Sequence, residues 1–223
     1  MKRIGLIVIL VLLLCGCGAE QTMETLGNVW QEQEAAVRAM LETVGLDASY
    51  ADRYPRELSG GQRQRVCIGA ALMLEPELII ADEAISALDV SVGSQILNLF
   101  RTIDVERDFS MLFISHNLNV VYYLCDRIAV MYKGSIVEMG TADAVYNDPM
   151  HPYTRLLLSA IPDYASEDDG DRALLERFRP PVEGSCAFYH RCPHATDKCK
   201  KVPELRNKAY RGEEEHLVRC FYL

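Results

Sequence analysis

Residues 77–82 read Glu-Leu-Ile-Ile-Ala-Asp, a short apolar run that ends on the acidic pair Asp82-Glu83. A run this short, apolar throughout and bounded by a turn, predicts a strand buried on both faces of a parallel sheet. Such a strand needs helices over both of its faces, and the flanking sequence offers them. Ala35, Val37, Met40, Leu41 and Val44 recur at helical spacing within residues 30–45, and Gly45 is placed to cap that helix. Arg63 onward reads as a second helix, stopped by Pro76, and a third helix is expected at residues 90–104. A second strand at residues 111–115, a short helix after His116 and a hairpin over 127–140 turning at Lys133-Gly134 complete the pattern. Strands alternating with helices predict an α/β layer architecture.

Composition narrows the function classes. The chain has 223 residues, 49% hydrophobic and 25% charged, which is a globular balance. Its 23 basic against 32 acidic side chains give a formal charge of −9, which argues against nucleic acid as a partner. Residues 1–20 carry a basic tip, Lys2-Arg3, and an apolar run shorter than a bilayer span. Leu14 to Cys17 has the pattern of a lipoprotein signal with Cys17 as the lipidated residue; an uncleaved hydrophobic anchor is the alternative. Residues 163–185 are acidic, contain Pro180-Pro181 and read as a linker. Cys67 and Cys125 stand alone in apolar surroundings and are read as small core residues.

The candidate chemistry lies in three places. Ser59-Gly60-Gly61 opens a helix, where unpartnered N–H groups and side-chain-free backbone suit a phosphate; the plainer reading is a capping serine and a flexible turn. Asp82 and Glu83 fall at the carboxyl end of a strand, where α/β sheets bind ligands. An aspartate there suits magnesium, and the neighbouring glutamate suits activation of a water. His116 follows the second strand and can reach the same edge.

Taken together these residues resemble the C-terminal half of an ATP-binding cassette (ABC) transporter ATPase. Leu58 to Arg65, "LSGGQRQR", is similar to the family's signature motif, and "LIIADE", Leu78 to Glu83, to its Walker B strand. Ser86 to Asp89 resembles the D-loop, and His116 the switch histidine. The sequence from Val130 to Pro162, with the later "GSCAFYHRCPHATDKC", is similar to the tail of ATPase subunits from oligopeptide, dipeptide and nickel importers. The resemblance implies a partial ABC ATPase domain over residues 24–162, with a parallel sheet core and a helical signature region, and a small Cys-rich extension over 186–223. It implies ATP and Mg²⁺ as cofactors, with Ser59, Gly60, Gly61, Gln62 and Asp89 toward the nucleotide. It implies Asp82 on the metal, and Glu83 and His116 as the catalytic pair.

The chain departs from the pattern. No Walker A stretch, Gly-x-x-x-x-Gly-Lys-Ser/Thr, occurs within it, so it is read as truncated. Ala84-Ile85 stands where the family usually has Pro-Thr, and Ala70 where it usually has Arg. Because family members sandwich ATP between the Walker A of one subunit and the signature of another, the expected role is to offer the signature in trans. Asp82, Glu83 and His116 would then be idle. Cys186, Cys192, Cys199 and Cys220 lack paired zinc-type spacing, and the resemblance suggests a [4Fe–4S] cluster; zinc, disulfides or unconnected thiols remain the alternatives.

The expected function is thus the energy-coupling subunit of a peptide-type importer, peripheral on the cytoplasmic face of the plasma membrane. Its expected partners are a second ABC ATPase subunit, membrane permeases and a substrate-binding lipoprotein. The rival from a different class is a degenerate fusion product, a lipoprotein head joined to an ATPase tail, or a binding module without ATPase activity. A lipid-anchored extracytoplasmic protein is the third reading, and it conflicts with every ATP motif after residue 58.

Overall fold

The computed structural model describes residues 19–107, 109–161, 179–209 and 215–222. The stretch read as an export signal therefore lies almost wholly outside the described residues, as does most of the linker. The chain divides into two compact units, residues 1–80 with 84–112 and residues 81–83 with 113–223.

The first unit is mainly helical. Helix α1, Ala19–Thr43, is longer than the periodicity predicts, and among its apolar positions Leu41 is buried while Val37 stays exposed. It ends as expected at Gly45, whose φ of +73° is open to glycine at little cost. The Leu46 N–H donates to Leu41 O at 2.8 Å and the Gly45 N–H to Glu42 O at 2.9 Å, which satisfies carbonyls of the last turn. Helix α2, Gly60–Leu72, buries Ile68, Gly69 and Leu72, and Met40 and Val44 of the α1 end pack against Gly69. Strand β1, Leu78–Asp82, is followed by helix α3, Val90–Glu106, which buries Ile96, Leu97, Phe100 and Ile103 along one stripe. Strand β2, Ser110–Ile114, follows and pairs with β1 in a two-stranded sheet.

The expected burial of β1 on both faces is not observed. Leu78 and Ile80 are 55% and 62% exposed, and only Ala81 in the strand is buried. Leu112 and Ile114 of β2 are likewise exposed. The physical reason is the sheet's size: with only β1 and β2 paired among the described residues, the face that carries Ile79 and Ala81 is covered, and the face that carries Leu78 and Ile80 is not.

The second unit holds a sheet that the sequence pattern did not foretell. After the short helix α4, Leu118–Leu124, strands β3, Arg127–Tyr132, and β4, Ser135–Thr141, form the expected hairpin. Its turn residues Lys133 and Gly134 both have positive φ, 46° and 76°, the conformation that matches strand twist in tight hairpins. Helices α5, Ala142–Asn147, and α6, Pro152–Ser159, follow. The C-terminal extension then returns two short strands, β5, Arg206–Asn207, and β6, Leu217–Val218, giving the antiparallel order β3-β4-β6-β5. No helix among the described residues is long and apolar enough to cross a membrane.

Candidate functional site

Within the first unit, Ser59 is the N-cap of α2 in an extended conformation, φ −66° and ψ 167°. Its Oγ accepts the Gln62 N–H at 3.3 Å, while Gln62 Oε1 accepts the Ser59 N–H at 2.9 Å, a reciprocal capping box. The Ser59 hydroxyl proton and the first N–H groups of the helix remain as donors suited to an anion. Gly60 is exposed, and a Cβ there would sit 3.5 Å from Leu88 Cδ2, an ordinary contact. Gly61 differs: it is buried, and a Cβ would run into Val92. The two glycines thus have separate reasons, open approach at Gly60 and helix packing at Gly61.

Two residues predicted to face the nucleotide already have partners inside this unit. Asp89 caps α3, its Oδ1 accepting the Val92 N–H at 2.9 Å. Gln62 uses both ends of its amide, because Nε2 donates to the Tyr50 hydroxyl at 2.9 Å.

Asp82, Glu83 and His116 lie in the second unit. Asp82 is exposed at the end of β1, a placement that suits a magnesium ligand. Glu83 sits in the left-handed region at φ +47°, a strained conformation for glutamate, and its N–H donates to Ile114 O at 2.9 Å. Its Oε1 lies 3.1 Å from His116 Nδ1, so the structure brings the predicted catalytic pair together. The side chains are 50% and 76% exposed, and a contact that open to water adds little to stability.

The four C-terminal cysteines also fall in this unit, none of them in a disulfide. Burial pushes Cys192 up to about 12, and the nearby thiols of Cys220, Cys199 and Cys186 act in the same direction. Burial also raises Cys186, with Cys199 and Cys220 as its neighbours. The sulfurs are close enough to affect one another, but among the described residues no three His, Cys, Asp or Glu side chains converge with metal-ligand geometry. Cys67 corrects an expectation: it is exposed on α2, because the helix turns its neighbours Ile68 and Gly69 inward instead. Cys125 is partly buried, as read, and its thiol is raised by burial.

Sequence reasoning missed a buried cluster around Glu138 of β4. This glutamate is 0% exposed; Oε1 accepts the Met150 N–H at 2.7 Å and His216 Nε2 at 2.8 Å, and Oε2 accepts the His151 N–H at 2.9 Å. His151 is buried as the N-cap of α6, with Nδ1 accepting the Tyr153 N–H at 3.1 Å. Burial lowers its pKa to about 4 against the opposing charge of Glu138. The stretch His151-Pro152-Tyr153 was a signal for the cap, since proline favours the first helical position. Nothing local marks Glu138 or His216 as partners, 78 residues apart.

Comparison with known proteins gives two family matches along the chain. The ABC transporter family model matches residues 16–86, which takes in the signature and the acidic pair and begins inside the stretch read as an export signal. The model for the oligopeptide/dipeptide transporter C-terminal region matches residues 137–199. The di/tripeptide transport ATP-binding protein DppF of Pseudomonas aeruginosa is 45% identical over 181 residues, 79% of this chain and 56% of its own length. The oligopeptide transport ATP-binding protein OppF of Escherichia coli is 46% identical over 195 residues, 85% of this chain and 57% of its own. The chain thus spans a little over half the length of these relatives. Among solved structures, the ADP conformation of MJ1267, an ATP-binding cassette of an ABC transporter, is similar over 57% of this chain and 50% of its own, at 29% identity and a TM-score of 0.49. The chain therefore carries ABC transporter ATP-binding domain sequence joined to an oligopeptide/dipeptide transporter C-terminal region, and is homologous to the ATP-binding proteins of peptide transport.

Proposed function

We propose that this chain is the energy-coupling part of a peptide importer and that its signature, Ser59-Gly60-Gly61, engages ATP. The observation that carries the reading is the capped, exposed start of α2, where Ser59 keeps a hydroxyl donor and Gly60 leaves the backbone open to a phosphate. ATP's phosphates need a lysine-bearing cradle as well, and residues 1–223 hold no Gly-x-x-x-x-Gly-Lys-Ser/Thr stretch. Because family members sandwich ATP between the Walker A of one subunit and the signature of another, we assign the cradle that faces Ser59 to an ABC ATPase partner. Permease subunits and a substrate-binding lipoprotein belong to the same assembly, with this chain peripheral on the cytoplasmic side. Magnesium on Asp82 would neutralise phosphate charge, and Glu83 with His116 would position or deprotonate a water. For residues 1–223 taken by themselves, which hold no such stretch, we propose that this pair adds little to turnover. Titrating ATP into the 223-residue chain by calorimetry tests this directly: no micromolar binding is expected, and micromolar affinity overturns the reading.

The second part of the proposal is that Cys186, Cys192, Cys199 and Cys220 hold a [4Fe–4S] cluster. Its support is the four-sulfur donor set and the mutual influence of the thiols. Binding would displace the protons that burial now keeps on Cys186 and Cys192. Anaerobically prepared protein is then brown, with iron and sulfide, and mutation of Cys67 leaves the metal content unchanged. One zinc and no iron would replace the cluster with a structural zinc site.

A further inference from the structure

We infer that Tyr50 is a positioning residue for the signature serine, and that Gln62 acts as the link between them rather than as a ligand contact. The inference rests on the reading that Ser59 faces ATP. The Ser59 backbone N–H can only donate, so the Gln62 oxygen must be the atom that meets it at 2.9 Å. That fixes the amide's orientation and turns Nε2 onto the Tyr50 hydroxyl, again at 2.9 Å. The Ser59 N–H thus sets which end of the Gln62 amide faces it, and the Tyr50 hydroxyl, accepting from Nε2, holds the amide in that place beneath the Ser59 backbone.

Tyr50 is itself held from several sides. It lies on the single-turn helix Ala48–Asp52, whose first residue is capped by Asp47 through the Ser49 N–H at 2.9 Å. Arg38 of α1 donates to Ala48 O at 2.9 Å and reaches Asp52 Oδ2 at 3.2 Å, tying the turn to the long helix. The Arg53 guanidinium stacks over the Tyr50 ring at 4.1 Å from its centroid. A capping box needs only its own two residues; here a third side chain, 12 residues away and anchored to another helix, completes it. Tyr50→Phe removes only the hydroxyl oxygen and leaves the ring under Arg53.

The test uses the full chain and then the assembled transporter. In NMR-detected hydrogen exchange, Tyr50→Phe should speed exchange at the Ser59 and Gln62 amides by roughly five- to tenfold, the scale of one lost hydrogen bond. Amides of residues 49–53 should stay within about twofold. Unchanged exchange at Ser59 and Gln62 overturns the inference, and so does equal acceleration through residues 49–53, which would make Tyr50 a prop for its own turn. In a complex with an intact ATPase partner, Tyr50→Phe should raise KM for ATP roughly fivefold with kcat within about twofold. Adding it to Gln62→Leu should change nothing further, because the link is already cut. Ser59→Arg separates the two levels of argument. If it leaves hydrolysis intact, the signature reading falls; if it abolishes hydrolysis while Tyr50→Phe moves neither exchange nor KM, only the role of Tyr50 falls.

Discussion

The cap of α2 and the carboxylate of Glu138 are both small hydrogen-bond clusters, yet they sit in opposite surroundings. Around Ser59 the groups are neutral and open to water, so each bond replaces one that solvent would make and adds about 1 kcal/mol. Around Glu138 a charged oxygen pair is fully buried and receives three donors, so every bond lost there leaves a charge or a donor stranded. The exposed cluster can afford to keep a donor in reserve for a ligand. The buried one joins β4, the α6 cap and the C-terminal segment that carries His216, and has no such reserve.

The largest effect should come from Glu138→Ala. Removing one partner of a buried charged network costs about 3–5 kcal/mol, which urea unfolding of the second unit should register. A loss below about 1 kcal/mol would erase the contrast with the α2 cap. Next comes pH. His151 is held neutral, with its pKa lowered to about 4 by burial from an ordinary 6.5. Its contribution is complete above pH 6.5 and is lost as the pH falls toward 4, because the unfolded chain takes the proton first. The loss across that window is about 3 kcal/mol at 1.4 kcal/mol per unit. His151→Asn keeps a capping acceptor and should flatten that slope; an unchanged slope would assign it to another group.

Smaller effects test the signature side. Gly61→Ala forces a Cβ into Val92, an overpacking cost of about 1–3 kcal/mol set against a helix-propensity gain of up to about 1 kcal/mol. Val92→Ala should restore the loss in the double variant, and failure to do so would mean that Gly61 serves the backbone instead of the packing. Asp89→Ala should cost about 1 kcal/mol as a lost cap. A fall in ATP turnover with no stability change would return Asp89 to the nucleotide.

What was legible in the sequence follows from how local each signal is. The Ser59 cap, the Gly45 stop and the Lys133-Gly134 turn depend on residues a few positions apart, and each is found where expected. The pairing of Glu83 with His116 spans 33 residues but was readable, because both follow apolar strands that end at one edge. Glu138 with His216 has no such local frame, and β5 and β6 are two residues each, too short to show alternation. Burial was the least legible property. The apolar β1 has no cover for Leu78 and Ile80 among the described residues, and Cys67, apolar in its surroundings, faces out.

The proposal most in need of a test is that residues 1–223 serve ATP through Ser59 and not through Glu83. ATP hydrolysis by a complex of the chain with an intact ATPase partner and permease tests it most directly, comparing Ser59→Arg with Glu83→Gln. The account predicts that Ser59→Arg abolishes hydrolysis, because a long cation fills the place of the phosphate at the start of α2, while Glu83→Gln changes the rate by less than about twofold, under 0.5 kcal/mol of barrier. Collapse of activity in Glu83→Gln with Ser59→Arg near the wild-type rate would contradict it.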